Sequence, residues 1–256
     1  MADGAWSGAI DLSGRTAVVT GGGGGIGLAI ATLFAARGAR LVLVGRTATV
    51  EQAVADLPGG AARHRAVVAD VADAATPGRA VAAALELGPR IDVLVNNAGI
   101  SVVEDAEALA PADFDRVMAV NVRGPFLMSQ AVGKVMIAQR AGRIVNIASQ
   151  AGVVAIDRHV SYCTSKFALL GMTKVLALEW GKHGITVNAV SPTVVETALG
   201  KRVWSGAPGE AMKRKIPSGR FATPEEVAAA VLYLASDAAG IINGDNLLLD
   251  GGYTVQ

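Results

Sequence analysis

Tyr162 and Lys166 stand four residues apart within Val160–Lys182, a stretch of helix length, so the spacing predicts side chains on one face, one turn apart. A phenol that titrates near pH 10 is a poor base at neutrality, and an ammonium group beside it favours the phenolate. That pairing would let Tyr162 exchange a proton with an oxygen of a bound molecule. Ser149 lies thirteen residues before Tyr162, just past a strand-like run, where its hydroxyl can bond the same oxygen. Singly, the tyrosine is also what a half-buried helix carries, and the serine is what caps a strand end. Asn121 falls inside the helical segment Pro111–Arg140, four residues before Pro125. Proline has no N–H to offer the carbonyl of residue 121, which leaves a kink, an unpaired carbonyl, or both.

A second group of residues could hold a phosphate. Thr20-Gly21-Gly22-Gly23-Gly24-Gly25-Ile26-Gly27 separates a strand-like run from an amphipathic helix beginning near Ile26. A glycine turn there lets the backbone approach a pyrophosphate, whose charge meets the unpaired N–H groups and positive end of the helix; the plain alternative is a flexible turn. About twenty residues further on, an NAD-binding chain places an acid on the ribose 2′-hydroxyl. This chain has Gly45-Arg46-Thr47 instead. Gly45 leaves room for a 2′-phosphate and Arg46 offers a planar fork of donors, so NADP(H) is favoured and NAD(H) stays possible. In the alternative, Arg46 is a solvated residue beginning a turn. Asp70 could accept from an adenine amino group, or serve with Asp73 around the start of the next helix.

These residues need a frame. Short apolar runs recur at Thr16–Thr20, Arg40–Val44, Ala66–Ala69, Ile91–Asn96, Arg143–Ala148, Thr186–Val190 and Asn246–Asp250. Several are apolar at consecutive positions, as in strands covered on both faces. Between them lie alanine-rich, helix-length segments, roughly Ile26–Arg37, Thr49–Asp56, Ala75–Leu87, Pro111–Arg140, Val160–Lys182 and Pro224–Ser236. Alternating strand and helix predicts an α/β fold with a parallel sheet between two helical layers. No fixed-period repeat or linker divides residues 1–256, which read as one domain; Thr197–Gly219, richer in Gly, Pro, Lys and Arg, reads as an insertion near a site.

Composition narrows the function. The 256 residues are 52% hydrophobic and carry 23 Lys+Arg against 22 Asp+Glu, for a net charge of +1. With no basic tail or charge block, nucleic acid and anionic bilayers are not expected partners. Cys163 is the single cysteine, and His64, His159 and His183 have no zinc-ligand spacing, so neither a disulfide framework nor a metal is expected. Met1–Ser7 lacks the basic and apolar regions of a signal peptide, and no 18-residue uncharged apolar run occurs. A cytoplasmic protein is the expectation.

In order, the motifs are Thr20-Gly-x-x-x-Gly25-Ile26-Gly27, Asn96-Asn97-Ala98-Gly99, Asn121, Ser149, Tyr162-x-x-x-Lys166 and Asp250-Gly251-Gly252. Together, and over nearly the whole length, the chain resembles the short-chain dehydrogenase/reductase family. The resemblance implies a Rossmann-type doubly wound three-layer sandwich with a central seven-stranded parallel sheet. It implies a catalytic tetrad of Asn121, Ser149, Tyr162 and Lys166, with hydride moving to or from a nicotinamide. It also implies that the carbonyl of Asn121 holds a water joining Lys166 to solvent. The implied cofactor contacts come from Gly21, Gly25, Ile26 and Gly27 in the loop, then Arg46, Asp70 and Val71. They continue with Asn97, Ala98 and Gly99, the pair Tyr162 and Lys166, and finally Pro192, Val195 and Thr197. Ser191-Pro192-Thr193 departs from the family's usual Pro-Gly and bears on the backbone path beside the nicotinamide. A homotetramer or homodimer, built from the two long helices and the C-terminal strand, is also implied.

The tail Leu249–Gln256 and the block Ser191–Thr197 are similar to the sugar-alcohol (polyol) branch of that family. Gln150, Arg158, His159 and Glu196 are candidates to bond a polyol, each also readable as a surface polar group. Lys201, Arg202, Lys213, Arg214, Lys215 and Arg220 face a single acid, Glu210, within residues 201–220, which suits an anionic substrate or a solvated face. The function expected is hydride transfer between a nicotinamide cofactor and a secondary alcohol or ketone, with a polyol as substrate. A 3-oxoacyl-thioester or other ketone reductase is the alternative within the family. A regulator that senses the nucleotide without turnover would need only the glycine-rich half.

Overall fold

The computed structural model describes residues 10–255, apart from the side chains at 199 and 202. The expectation drawn from Met1–Ser7, the terminal Gln256 and the side chain of Arg202 lie outside the described residues. In chain order the first half comprises β1 (Thr16–Thr20), α1 (Gly25–Ala36), β2 (Arg40–Gly45), α2 (Thr49–Asp56), the single turn α3 (Gly60–Arg63), β3 (His64–Val68), α4 (Thr76–Leu87) and β4 (Val93–Asn96). The second half comprises α5 (Pro111–Met118), a π-helical segment (Ala119–Arg123), α6 (Gly124–Gln139), β5 (Gly142–Ile147), α7 (Val160–Trp180), β6 (Ile185–Pro192), α8 (Ala198–Val203), α9 (Gly206–Arg214), α10 (Pro224–Ala235) and β7 (Asn246–Leu249).

The strands form one seven-stranded sheet in the order β3-β2-β1-β4-β5-β6-β7, and every pairing is parallel. Consecutive apolar residues along a strand serve opposite layers. Ala17, Val19, Leu41, Leu43, Val93 and Val95 pack with Ile30 and Phe34 of α1, Val50 of α2 and Val231 of α10. Val18, Val42, Val44, Leu94 and Ile144 pack on the other side with Ala80 of α4, Met128 and Met136 of α6 and Leu176 of α7. Each fully buried side chain of this size is worth about 1.5–3 kcal/mol. The order reverses between β1 and β4, which opens a crevice at their carboxyl ends.

Beyond shifts of one or two residues at strand ends and the unexpected turn α3, three differences from expectation have a physical reason in the structure. β3 starts at His64, not Ala66, because a buried imidazole begins it: Nδ1 accepts the Leu41 N–H at 3.1 Å and Nε2 lies 3.0 Å from the Pro58 carbonyl. The segment Pro111–Arg140 is divided by the π turn, where Gly124 N–H bonds the Ala119 carbonyl five residues back, immediately before Pro125. The insertion after Thr197 contains α8 and α9, and Met212, Ile216 and Phe221 form a small core there with Val194, Trp204 and Tyr253. Its Gly and Pro content hides that periodicity.

Candidate active site

The loop from β1 to α1 is shaped by what cannot fit. Gly21 has φ +66°, and a Cβ on it would fall 2.7 Å from Asn97 Nδ2. That amide donates to the carbonyls of Thr20 (2.9 Å) and Gly21 (3.2 Å). A Cβ on Gly27 would meet the Gly21 carbonyl oxygen at 2.1 Å, so α1 packs this close only because residue 27 is bare. Thr20 Oγ1 accepts from Asn97 N (3.0 Å) and Ala98 N (3.1 Å), tying the ends of β1 and β4 together. Gly24, which opens α1, has nothing within 4 Å of a Cβ position. No side chain caps the helix there, and its first turn carries no acid. The N–H groups and positive end of α1 are therefore left for an anion, and the loop fits a dinucleotide's pyrophosphate.

Beyond the crevice stand the four expected catalytic residues. Ser149 follows β5, and its Oγ accepts the Ala151 N–H at 3.1 Å. Tyr162 and Lys166 come from the first turns of α7. Lys166 is 4% exposed; its Nζ donates to the Ile147 carbonyl at 2.8 Å and lies 5.5 Å from the Tyr162 ring centroid. Asn121, buried in the π segment, bonds both backbone groups of Ile100 at 2.9 Å and donates to Ser165 Oγ at 3.0 Å. Ser165 Oγ donates in turn to the Tyr162 carbonyl at 2.7 Å, so the π turn is fastened to the catalytic stretch of α7. A Cβ on Gly99 would lie 3.5 Å from Asn121 Oδ1 and 3.7 Å from Lys166 Nζ, which puts the Asn97–Gly99 turn beside both.

The electrostatics correct one expectation. Burial raises the Tyr162 phenol above its ordinary value, opposed by its hydrogen bond with the Ser149 hydroxyl and reinforced by the charge of Cys163. Burial also lowers Lys166 to about 8. In the protein alone, desolvation sets the direction of both shifts, and Lys166 is not among the causes acting on Tyr162.

One cavity of about 440 Å³ joins the loop to these residues. Gly21, Gly25, Ile26, Asn97, Ala98, Gly99, Ser149, Tyr162, Lys166, Pro192, Val195 and Thr197 line it, whereas Gly27, Arg46, Asp70, Val71 and Asn121 do not. Asp70 Oδ1 accepts the Ala72 N–H at 2.9 Å, a turn role. Val71 is buried in the layer below the sheet. Arg46 is exposed and has no ion-pair or hydrogen-bond partner among the described residues. The room expected beside Gly45 is filled along the side-chain direction, because a Cβ there would meet Val50 Cγ1 at 2.7 Å. Thr193 follows β6 without a left-handed φ, and its N–H bonds the Leu249 carbonyl at 3.0 Å, so losing the family's glycine leaves an ordinary path.

Of the polyol candidates, Gln150 and His159 line the cavity. Gln150 is 1% exposed, and neither its Oε1 nor its Nε2 has a partner among the described residues. His159 Nδ1 lies 2.7 Å from the Asp157 carbonyl, which can only accept; Nδ1 therefore carries the proton and a neutral ring has an accepting Nε2. The ring stacks on Trp204, with centroids 6.1 Å apart and planes at 8°. Arg158 is held outside the cavity by Glu104 (3.4 Å) and Asp105 (3.0 Å), and Glu196 does not line it either. None of the basic residues described between 201 and 220 lines it; Lys213 pairs with Glu210 at 2.8 Å and Arg220 with Glu226 at 2.6 Å. Trp204, Ser101 and Thr193 also line the cavity, the last two with buried, unpartnered hydroxyls among the described residues. Sequence reasoning missed all three as substrate-side residues, for no spacing marks them. Among the described residues, no group of three or more His, Cys, Asp or Glu is placed to hold a metal ion. Nor is any helix among them long and apolar enough to cross a membrane.

A sequence-family model described as "Enoyl-(Acyl carrier protein) reductase" matches residues 21–254. The chain is 52% identical to a D-threitol dehydrogenase of Mycolicibacterium smegmatis over 96% of this chain and 95% of that protein. It is 47% identical to an NAD-dependent glycerol dehydrogenase of Listeria innocua, covering 96% of each. A crystal structure from Beutenbergia cavernae, assigned as an NAD(P)-dependent gluconate 5-dehydrogenase with NADP at low occupancy, superposes with a TM-score of 0.91 at 39% identity. The match covers 97% of this chain and 100% of that one.

Proposed function

The chain belongs to the short-chain dehydrogenase/reductase family, an NAD(P)-dependent oxidoreductase of CH–OH groups, and from that premise we propose that its substrate is a polyol or sugar alcohol. The observation that carries the substrate class is Gln150. A buried carboxamide with four unused hydrogen-bonding positions is costly, at about 1–3 kcal/mol for each group left unmade, unless a ligand completes it. A molecule with hydroxyls on neighbouring carbons would do so once the amide, closed to solvent in this structure, turns into the cavity, where the accepting Nε2 of His159 is at hand. An acyl thioester offers mostly carbonyl and apolar groups to the same walls. The relatives named for D-threitol and glycerol support the polyol.

In the oxidation direction, Ser149 Oγ donates to the reacting oxygen and Tyr162 takes its proton. A nicotinamide held beside these residues would supply the hydride acceptor in oxidation and the hydride donor in reduction. Lys166 and Asn121 continue the proton path away from Tyr162. The loop residues Gly21–Gly27, the Asn97–Gly99 turn, Pro192, Val195 and Thr197 would hold the dinucleotide. Arg46 selects NADP(H), while NAD(H) remains usable. A homotetramer or homodimer in the cytoplasm completes the proposal, with α6 and α7 at an interface.

The test measures kcat/KM for tetritols, pentitols, glycerol, simple secondary alcohols and 3-oxoacyl thioesters with both cofactors, on the unmodified enzyme and Gln150→Leu. Polyols should lead, and the variant should lose about ten- to a hundredfold on them, mostly through KM, while a simple secondary alcohol is unaffected. Faster turnover of 3-oxoacyl thioesters would replace the proposal with the ketone reductase. Cofactor binding without turnover of any substrate would point to the sensor.

A further inference from the structure

Gly45 ends β2, where an acidic side chain would accept from the ribose 2′-hydroxyl of NAD. Its φ is not in the left-handed region, so the backbone does not demand a glycine. Space does. A Cβ on Gly45 would lie 2.7 Å from Val50 Cγ1, where carbon atoms in contact keep about 3.5–4.0 Å.

Neither side can yield easily. Val50 is 1% exposed and packs in the layer that holds Phe34 and Leu43. A β-branched residue in a helix has one strongly preferred rotamer, and the Val50 N–H is bonded to the Thr47 carbonyl at 3.3 Å. Gly45 is held by its register with Val68 in β3 and by its carbonyl, which accepts from Ala69 N at 2.8 Å. The next residue, Arg46, is exposed and unpaired among the described residues.

We propose that Val50 is a positioning residue for cofactor choice: its buried methyl keeps position 45 bare, so no carboxylate can stand at the end of β2 and Arg46 is the charge that meets the ribose. The inference rests on the NADP(H) preference stated above and adds its cause. Val50 touches no cofactor atom in this account; it acts through the residue it excludes.

The first experiment needs no cofactor. Thermal unfolding of the unmodified protein, Gly45→Ala, Val50→Ala and the double variant, each stripped of nucleotide, forms a double-mutant cycle. Gly45→Ala should lower Tm, and adding Val50→Ala should lower it by less than the sum of the single effects. Additive effects, or a Gly45→Ala protein as stable as the parent, would overturn the proposal whichever cofactor is used. The second experiment titrates NAD and NADP against Gly45→Asp and Gly45→Asp/Val50→Ala, following tryptophan fluorescence and then kcat/KM. The double variant should shift the NADP:NAD ratio at least tenfold toward NAD and bind NAD more tightly than Gly45→Asp alone. An equal shift in the single variant overturns the role of Val50. If the unmodified enzyme prefers NAD tenfold, the NADP(H) reading fails and takes the specificity claim with it, even where the cycle shows coupling.

Discussion

Lys166 places an ammonium group where water hardly reaches, and the consequence can be read in stability as well as in turnover. Its pKa falls from 10.5 to about 8, through burial. In the unfolded chain the proton stays on until about pH 10.5. Between those values the unfolded state binds the additional proton, so stability rises with pH by up to about 1.4 kcal/mol per unit. The penalty is therefore fully present below pH 8, amounts to about 3 kcal/mol, and is gone above pH 10.5. Lys166→Met keeps an unbranched side chain and removes the charge. It also removes the donor to the Ile147 carbonyl, a pH-independent loss of about 1–3 kcal/mol. The stability difference between variant and parent should therefore drift by about 3 kcal/mol in the parent's favour from pH 7 to 10.5, equivalent to about 6–12 °C in Tm. Urea unfolding of the nucleotide-free proteins at one protein concentration and several pH values measures it, and other titrating groups cancel between the two. A difference that stays constant across that range would refute a depressed lysine. Lys166→Met should also lose turnover, making Lys166 a site where activity is held at the expense of stability.

Tyr162→Phe should keep the fold and nucleotide binding while kcat falls about 10²- to 10⁴-fold; near-normal kcat would remove Tyr162 from the proton step. Light scattering should find a homo-oligomer, because Phe126, Phe167, Val175 and Leu178 are apolar yet 44–83% exposed on α6 and α7. Phe167→Glu with Leu178→Glu should yield a smaller species, and an active parent monomer at micromolar concentration would count against the interface. His64, neutral and lowered by burial, should make stability fall as pH drops below about 6.5, where the unfolded chain takes a proton that the folded one refuses. His64→Leu should flatten that acid limb while costing about 1–3 kcal/mol at neutral pH for the unpaired Leu41 N–H; an unchanged limb would show that other groups govern it.

The sequence by itself determined what depends on near neighbours. Consecutive apolar residues in Leu41–Val44 imply a strand covered on both sides, because successive side chains leave a strand on opposite faces. The four-residue step from Tyr162 to Lys166 sets their relation through helix geometry alone, and the glycines after Thr20 announce a close backbone approach. Pro125 announces a disturbed turn at Asn121, and the π segment is its form. Tertiary structure decided whatever sums over groups far apart in the chain. Asn121 belongs to the connection from β4 to β5, Ser149 and Tyr162 to the one from β5 to β6, and the sheet order sets those two connections side by side. Whether Gln150 is a surface amide or an orphaned one, and whether Arg158 reaches a substrate or is tied to Glu104, depends on burial and partners that no spacing encodes. The shift of Tyr162 is upward because desolvation, an effect of every surrounding atom, outweighs the hydrogen bond with Ser149. Gly45 is indistinguishable in sequence from a glycine required by backbone geometry. Only the packing of α2 against β2 shows that a methyl group of Val50 occupies its side-chain space.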